Sequence, residues 1–168
     1  MFKANMNKRG ISAIVATVLI ILITVAAVAI VWSVIIPLIN NSIKGSSVCF
    51  DASTSLTIIG GSKTCKTKDN VSITISRSSR DFKLEDIQIQ LIKSDGDSIS
   101  VNAKNLSIKK GLPGINEQRV FIINKTDVGK TTDLNSIQSV KFAPIVITSD
   151  GEKKTCDASA GKAVPSCQ

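Results

Sequence analysis

The stretch ISAIVATVLIILITVAAVAIVWSVIIPLI, residues 11–39, determines how the rest of the chain is organised. It contains no charged residue, no side-chain amide and no glycine. An uninterrupted apolar run of this length is typical of a transmembrane helix, and at about 1.5 Å per residue it would reach roughly 40 Å, more than the roughly 30 Å core of a bilayer requires. A helix that is apolar on all sides must be surrounded by lipid or by other helices. We expect this one to occupy both environments at different times.

A short basic leader precedes the apolar run. Residues 1–10, MFKANMNKRG, contain three basic residues and no acidic residue. A secretory signal peptide is cleaved after its apolar region, next to small residues, but no such sequence follows this run. Its small residue is instead Gly10, which follows Lys8 and Arg9, so cleavage between Gly10 and Ile11 would remove the leader and keep the helix. The alternative is an uncleaved signal anchor, and in both cases the positive flank stays cytoplasmic while the distal part is exported.

This arrangement resembles the class III signal peptide of archaeal type IV pilins and archaellins. The resemblance rests on KRG at residues 8–10 followed directly by ISAIV at residues 11–15, and it covers about the first 35 residues. Bacterial pilins usually carry glutamate at the fifth mature position, where this chain has Val15, so the resemblance favours the archaeal branch. It implies processing by a membrane-bound prepilin peptidase at a sequence formed by Lys8, Arg9, Gly10 and Ile11.

Small residues recur along the predicted helix and suggest how it would pack. Ala13 and Thr17 are four residues apart, as are Ala29 and Ser33, so each pair forms a shallow groove that lets a neighbouring helix approach closely. The alternative is that these residues only reflect the high alanine content of membrane spans. The predicted packing residues are Ala13, Ala16, Thr17, Ala27, Ala29 and Ser33.

Two residues mark the distal end of the apolar run. Pro37 removes a helical hydrogen bond, so we expect the helix to kink or to end close to it. Trp32 is suited to the outer membrane interface. The polar residues 40–47 that follow are predicted to join the helix to a distal domain.

Residues 48–168 are predicted to form a β-domain, which makes the fold class α+β. Short segments alternate between apolar and polar residues, and we find no amphipathic helical period of useful length after residue 44. Seven or so short strands predict an antiparallel β-sandwich of the immunoglobulin-like kind, which is also the head that the family resemblance implies. Pro144 predicts an edge strand or a bulge. The expected strands are residues 56–59, 71–76, 87–91, 99–101, 106–108, 119–123 and 145–147, with hairpin signals at Gly60-Gly61, Asp95-Gly96, residues 111–114 and Asp150-Gly151.

Four cysteines, Cys49, Cys65, Cys156 and Cys167, all follow the apolar run. An even number on the exported side predicts two disulfides, whereas zinc sites usually contain more closely spaced pairs. We expect Cys49–Cys65 and Cys156–Cys167, because each bond closes a short loop.

Four N-x-S/T sequons begin at Asn40, Asn70, Asn105 and Asn124. All of them lie beyond the apolar run, on the side predicted to be exported, which makes these asparagines candidate acceptors for N-glycosylation.

The sequence contains no pattern that indicates catalysis. It has no histidine, which removes the commonest general base and metal ligand. Glu85 and Asp86 are adjacent, so on a strand they would face opposite sides, and Asp95-Gly96-Asp97 is better explained as a turn than as a calcium loop. We expect no enzyme activity and no cofactor.

The charge distribution also argues against nucleic-acid binding. The formal net charge is +8, but the basic residues of the distal domain are interspersed with all 13 acidic residues and form no stripe. The expected partners are therefore copies of the chain itself, the prepilin peptidase and assembly machinery, and the membrane before assembly.

The predicted function is that of a structural subunit of an archaeal type IV pilus-like surface filament that serves adhesion. An archaellin, the subunit of a swimming filament, would carry the same helix, and a minor pilin is a further alternative. A different class is a single-pass, membrane-anchored surface binding module that never polymerises. A mature protein that begins at Ile11 favours the filament readings, and a retained leader favours the anchor.

Overall fold

The computed structural model describes residues 9–108, 111–129 and 132–167. Side-chain surroundings are described from residue 13 onward, except at residues 40–44. Residues 1–8, which include Lys8 of the predicted cleavage sequence, lie outside the described residues. The chain falls into two compact units, Met1–Ile43 and Lys44–Gln168.

The apolar sequence forms helix α1, Arg9–Ile30, which is followed by one π-helical segment, Val31–Ile35, and by helix α2, Ile36–Ser55. Of the two outcomes expected at Pro37, a kink or an end, the helix does not end there. In the π-helical segment the N–H of Ile36 donates to the carbonyl of Val31, five residues earlier. Proline has no N–H to donate, and its ring clashes with the carbonyl of the preceding turn of an α-helix. The wider π-helical turn makes room for the ring, so the chain remains helical beyond Pro37.

Helix α2 also includes residues 40–47, which are predicted to join the apolar helix to the distal domain. From Lys44 onward the helix belongs to the second unit, where Ala52 and Ser55 are buried and Val48 and Cys49 pack against the core. Residues three or four apart share one helix face, so these four side chains form a buried stripe. The stripe has no clear signature in the sequence because its members are small, and the expectation of no amphipathic helix after residue 44 is wrong.

The described residues that follow form nine strands, which are arranged in two antiparallel sheets. In the first sheet β3 pairs with β1 and β2, which lie end to end along one of its sides, and with β6. The second sheet has the order β5-β4-β7-β8, and β9 also pairs with β7. The strands are β1 Leu56–Ile59, β2 Cys65–Lys66, β3 Asn70–Arg77, β4 Leu84–Lys93, β5 Ser98–Asn102, β6 Gln118–Asn124, β7 Ile137–Ile147, β8 Lys153–Thr155 and β9 Lys162–Ala163; a short helix α3, Lys125–Val128, follows β6.

Most segments with period-two alternation are strands, as predicted. Residues 145–147 are the end of the much longer β7, and residues 106–108 are not a strand. Asp95-Gly96 and Asp150-Gly151 lie between strands that pair with each other, β4 with β5 and β7 with β8. Gly60-Gly61 does not close a hairpin, because β1 and β2 both pair with β3, and residues 111–114 lie in a connection between the two sheets.

Pro144 lies within β7, which has strands on both sides, so the expectation of an edge strand is wrong. Its carbonyl accepts a hydrogen bond from the N–H of Cys156, which follows β8. The N and O atoms of one strand residue point to the same side, so the proline nitrogen faces away from β4 and the β4–β7 ladder loses no bond. The register does shift by one residue next to it, but in β4, at Glu85.

Both sheets contribute to one hydrophobic cluster. Alternate residues of each strand point into it, as the pleat requires. Phe142 of β7 and Ile89 of β4 are register partners and are both buried. The other large members include Val71, Ile73, Ile75, Ile87, Leu91, Phe121, Ile123, Val140 and Val146.

Two disulfides brace this domain, but the predicted pairing is wrong. Cys49 of α2 bonds to Cys156, and Cys65 of β2 bonds to Cys167, with Cα–Cα distances of 5.2 and 5.0 Å. The second pair is aligned by the C-terminal segment, since the N–H of Cys167 donates to the carbonyl of Lys66. The prediction assumed that cysteines close together in the sequence form a bond. The fold instead brings together cysteines that are far apart in the sequence.

Candidate functional site: an exposed apolar helix

The candidate site is the apolar helix itself. Over the 27 residues Ala13–Ile39 it is long and apolar enough to cross a membrane, and none of it is buried within the chain. Apart from the half-buried Ile36, its large side chains are exposed on every side, from 42% at Ile35 to 69% at Trp32. Isolated exposed apolar residues are ordinary, but an uninterrupted apolar surface of this size marks a membrane or protein interaction site.

The hydroxyl groups on this helix are compatible with an apolar environment. The hydroxyls of Thr17 and Thr24 donate to backbone carbonyls three residues earlier, at 2.8 and 2.9 Å, and Ser33 does the same at 3.4 Å. A polar group taken out of water is costly only when it lacks a hydrogen bond. These three side chains therefore present mainly carbon to their surroundings, which the amino-acid types alone do not reveal.

The predicted packing residues all lie exposed on this helix. Ala13 and Thr17 are within α1, where residues four apart share a face, so the groove predicted between them has the expected spacing. Ser33 lies in the π-helical segment while Ala29 does not. A π-helical turn takes about one residue more than an α-helical turn, so this second pair is offset and forms a less regular groove.

The predicted processing residues lie at the start of the described chain. Helix α1 begins at Arg9 and includes Gly10 and Ile11, whose side-chain surroundings are outside the described part, and Lys8 lies outside the described residues. The Gly10–Ile11 bond remains a predicted cleavage site.

On the β-domain, the adjacent carboxylates Glu85 and Asp86 have separate structural roles. Glu85 Oε1 lies 2.9 Å from the Nζ atoms of Lys153 and Lys104, and its hydrogen bonds to these two ammonium groups lower the pKa of Glu85 to about 2. Asp86 is 7% exposed, and its Oδ1 accepts from the backbone N–H groups of Ile87 and Lys104 at 2.8 and 3.1 Å. The pair stabilises the β4 bulge and the loop after β5.

The structure offers no grouping that indicates a metal site. Among the described residues no three His, Cys, Asp or Glu side chains come close enough to hold a metal ion. In the Asp95-Gly96-Asp97 sequence, the N–H of Asp97 donates to Asp95 Oδ1 at 2.9 Å and Gly96 has a φ of 91°. These contacts are those of a tight turn.

The candidate glycosylation sites differ in accessibility. Asn105 is exposed, at the end of the 3₁₀ turn Ala103–Asn105. Asn70 and Asn124 are half-buried and are register partners on β3 and β6, so they share one face of the first sheet. Asn40 lies in α2, at a position where only the backbone is described.

Comparisons with known proteins identify no family. No family model matches the chain, and no curated protein matches it. One solved structure that does match is named "X-ray structure of Northeast Structural Genomics Consortium target SoR45"; it is 12% identical, with a TM-score of 0.34, and the match covers 66% of this chain and 82% of that one. A similarity this distant carries no argument about function. What the chain itself provides is an N-terminal apolar helix of 27 residues and two disulfides, and these fit a pilin-like protein.

Proposed function

We propose that this chain is a structural subunit of an archaeal type IV pilus-like surface filament that serves adhesion. The observation that carries the proposal is an uncharged helix, exposed on all sides, joined in sequence to a disulfide-braced β-domain. The first feature requires an apolar environment, and the second is typical of an oxidising, exported compartment. The resemblance of residues 8–15 to class III signal peptides supports this function.

The helix is proposed to exchange one apolar environment for another. The precursor waits in the bilayer with its N-terminus cytoplasmic, and the prepilin peptidase cleaves between Gly10 and Ile11. The assembly machinery then moves the helix into a growing polymer, where lipid contacts are replaced by the helices of neighbouring copies. Contacts of this head-to-tail kind do not close on themselves and therefore propagate into a filament. Because copies cover every face, the helix has no need of a polar side.

For the exported domain we propose an immunoglobulin-like sandwich. Two antiparallel sheets that share one hydrophobic cluster support this assignment. Its surface would carry the adhesive contacts outside the cell, and candidate glycans would be attached to it. The function requires neither a catalytic group nor a cofactor.

A charge placed inside the helix tests the packing proposal. We expect Ala16→Lys and Ala27→Lys to abolish surface filaments, because every position of a packed stem would be covered by neighbouring helices. A single lysine adds about 2.5–3.5 kcal/mol to membrane insertion, which the remaining apolar residues of the run can offset, so the precursor should still be found in the membrane fraction.

The matched control is Ala158→Lys, which adds the same charge at an exposed position of the β-domain. This variant should assemble normally. Electron microscopy of sheared cells reads out filaments, and non-reducing electrophoresis checks that both disulfides form. Normal filaments from either helix variant would contradict the proposal.

Two other functions use the same features. An archaellin would polymerise through the same helix, and loss of swimming with intact adhesion in a deletion strain would favour it. A membrane-anchored binding module would keep its leader and remain a detergent-soluble monomer. Residues 8–11 place a glycine after two basic residues and directly before the apolar run. This order favours a processed filament subunit over the uncleaved anchor.

A further inference from the structure

We infer that Trp32 makes a hydrogen bond between copies of the chain, in which the indole N–H of one copy donates to the backbone carbonyl of Trp32 in a neighbouring copy. The inference rests on the proposed filament and adds a specific contact to it. It follows from one hydrogen-bond acceptor, the backbone carbonyl of Trp32, and one donor, its indole N–H, which are both unused within the helix. Both belong to the same residue of an otherwise apolar helix.

The acceptor arises from the π-helical segment. In an α-helical pattern the carbonyl of Trp32 would accept from the N–H of Ile36, but that N–H donates to Val31. In a π-helical pattern it would accept from residue 37, which is proline and has no N–H. The carbonyl of Trp32 is therefore left without a backbone donor from its own helix.

The donor is the indole N–H of the same residue. Trp32 is the only tryptophan of the chain, it is 69% exposed, and its side chain has no hydrogen-bond partner among the described residues. The other polar side chains in the range Ala13–Ile39 are Thr17, Thr24 and Ser33, and each donates to its own backbone. The tryptophan thus carries the one side-chain donor of this range that is not already used.

One copy cannot pair these two groups by itself. Helix carbonyls point toward the C-terminus, whereas long side chains lean back toward the N-terminus. The indole of Trp32 therefore leans away from the carbonyl of its own residue. A second copy displaced along the helix axis can bring its indole to that carbonyl, so the complementary groups fit a partner that is the same chain.

Before assembly the bilayer itself can satisfy both groups. From Ala13 to Trp32 the helix rises about 28 Å, close to the thickness of the hydrocarbon core, so Trp32 would reach the outer interface when Ala13 lies at the inner one. Water and headgroups hydrogen-bond to indoles there. In a polymer built from packed helices this hydration is lost, and a donor and an acceptor left unpaired would oppose assembly. The proposed contact replaces the hydration.

Two substitutions test the contact. Trp32→Phe keeps an aromatic ring and removes the N–H, and we expect filaments that still form but whose dissociated fraction in a detergent titration rises about fivefold. Pro37→Ala restores an N–H that can serve the carbonyl of Trp32 within its own helix. In that background Trp32→Phe should add no further destabilisation, so the double-mutant cycle should be strongly non-additive.

A spectroscopic readout follows the indole directly, because the chain has one tryptophan. Ultraviolet resonance Raman spectra in D₂O should show a hydrogen-bonded, exchange-protected indole in filaments and a freely exchanging one in detergent-solubilised subunits. A freely exchanging indole in filaments, unchanged stability of the Trp32→Phe filaments, or an equal effect in the Pro37→Ala background would each overturn the inference while leaving the proposed filament intact. Absence of filaments in the wild type would contradict both.

Discussion

Phe142 and Phe50 show how differently two phenylalanines of the same domain contribute to stability. Phe142 is 1% exposed in the shared core, whereas Phe50 on α2 is 64% exposed. We expect Phe142→Ala to lower the free energy of unfolding by about 3–5 kcal/mol, because it removes buried carbon and leaves a cavity. Phe50→Ala is the matched control and should change it by less than about 0.5 kcal/mol. Pulse proteolysis of the full-length protein in mild detergent across a urea series measures both; similar losses would contradict this core.

Glu85 provides a pH prediction at the same scale. Its hydrogen bonds to Lys153 and Lys104 lower its pKa to about 2, below the usual value of about 4.3. A carboxyl whose pKa falls on folding adds stability above the unfolded pKa, and this contribution is lost as the pH drops through the folded pKa. Glu85→Gln should therefore melt lower than wild type at pH 5–7, by about 2 °C or less since these are exposed ion pairs, and the difference should disappear below about pH 2.

The control for Glu85 is Glu152→Gln. Glu152 is an exposed carboxyl whose side chain makes no ion pair with the described residues. Thermal melts of this variant should stay close to those of the wild type at pH 5–7, as for most exposed substitutions. A Glu85→Gln difference that stays constant from pH 2 to pH 7 would show that the ion pairs are not its cause.

At the scale of single elements, the cysteine pairing makes the sharpest prediction. Non-reducing peptide mapping of the native protein should recover Cys49 linked to Cys156 and Cys65 linked to Cys167. Because the paired residues are 107 and 102 positions apart, each bond restricts a large loop of the unfolded chain, and its removal should cost about 4 kcal/mol. Replacing both cysteines of one pair with serine and measuring unfolding in urea tests this magnitude. Recovery of Cys49 linked to Cys65 would contradict the fold around α2.

The elements also show which features a sequence can reveal. Strands such as β3 and β4 were predictable because one buried face imposes alternation over several residues. The strands β2, β8 and β9 have only two or three residues and are defined by the neighbours they pair with, so they carry no period of their own. The final turns of α2 escaped prediction because their buried side chains are small.

The candidate site was only partly predictable. The apolar helix and its exposure follow from composition, since no charged residue occurs within it. The π-helical segment before Pro37 and the internal hydrogen bonds of Thr17 and Thr24 depend on backbone geometry and have no signature in residue type. The partners of Glu85 lie 19 and 68 residues away along the chain, and only the fold brings them together.

For the molecule as a whole, the proposed function assigns different roles to the β-domain and to the apolar helix. The β-domain has its own core and its own covalent bonds. From Ala13 to Ile39 the helix is not buried by the described part of the chain, and we propose that its surroundings come from other molecules. A bilayer provides these surroundings to a single copy, and a polymer provides them to many.

The most direct test is the N-terminal sequence of the main protein in surface filaments sheared from cells that express this chain. The account predicts filaments whose principal protein begins at Ile11, with Lys8, Arg9 and Gly10 removed. A protein that retains residues 1–10 and is recovered only as a detergent-soluble monomer would contradict it.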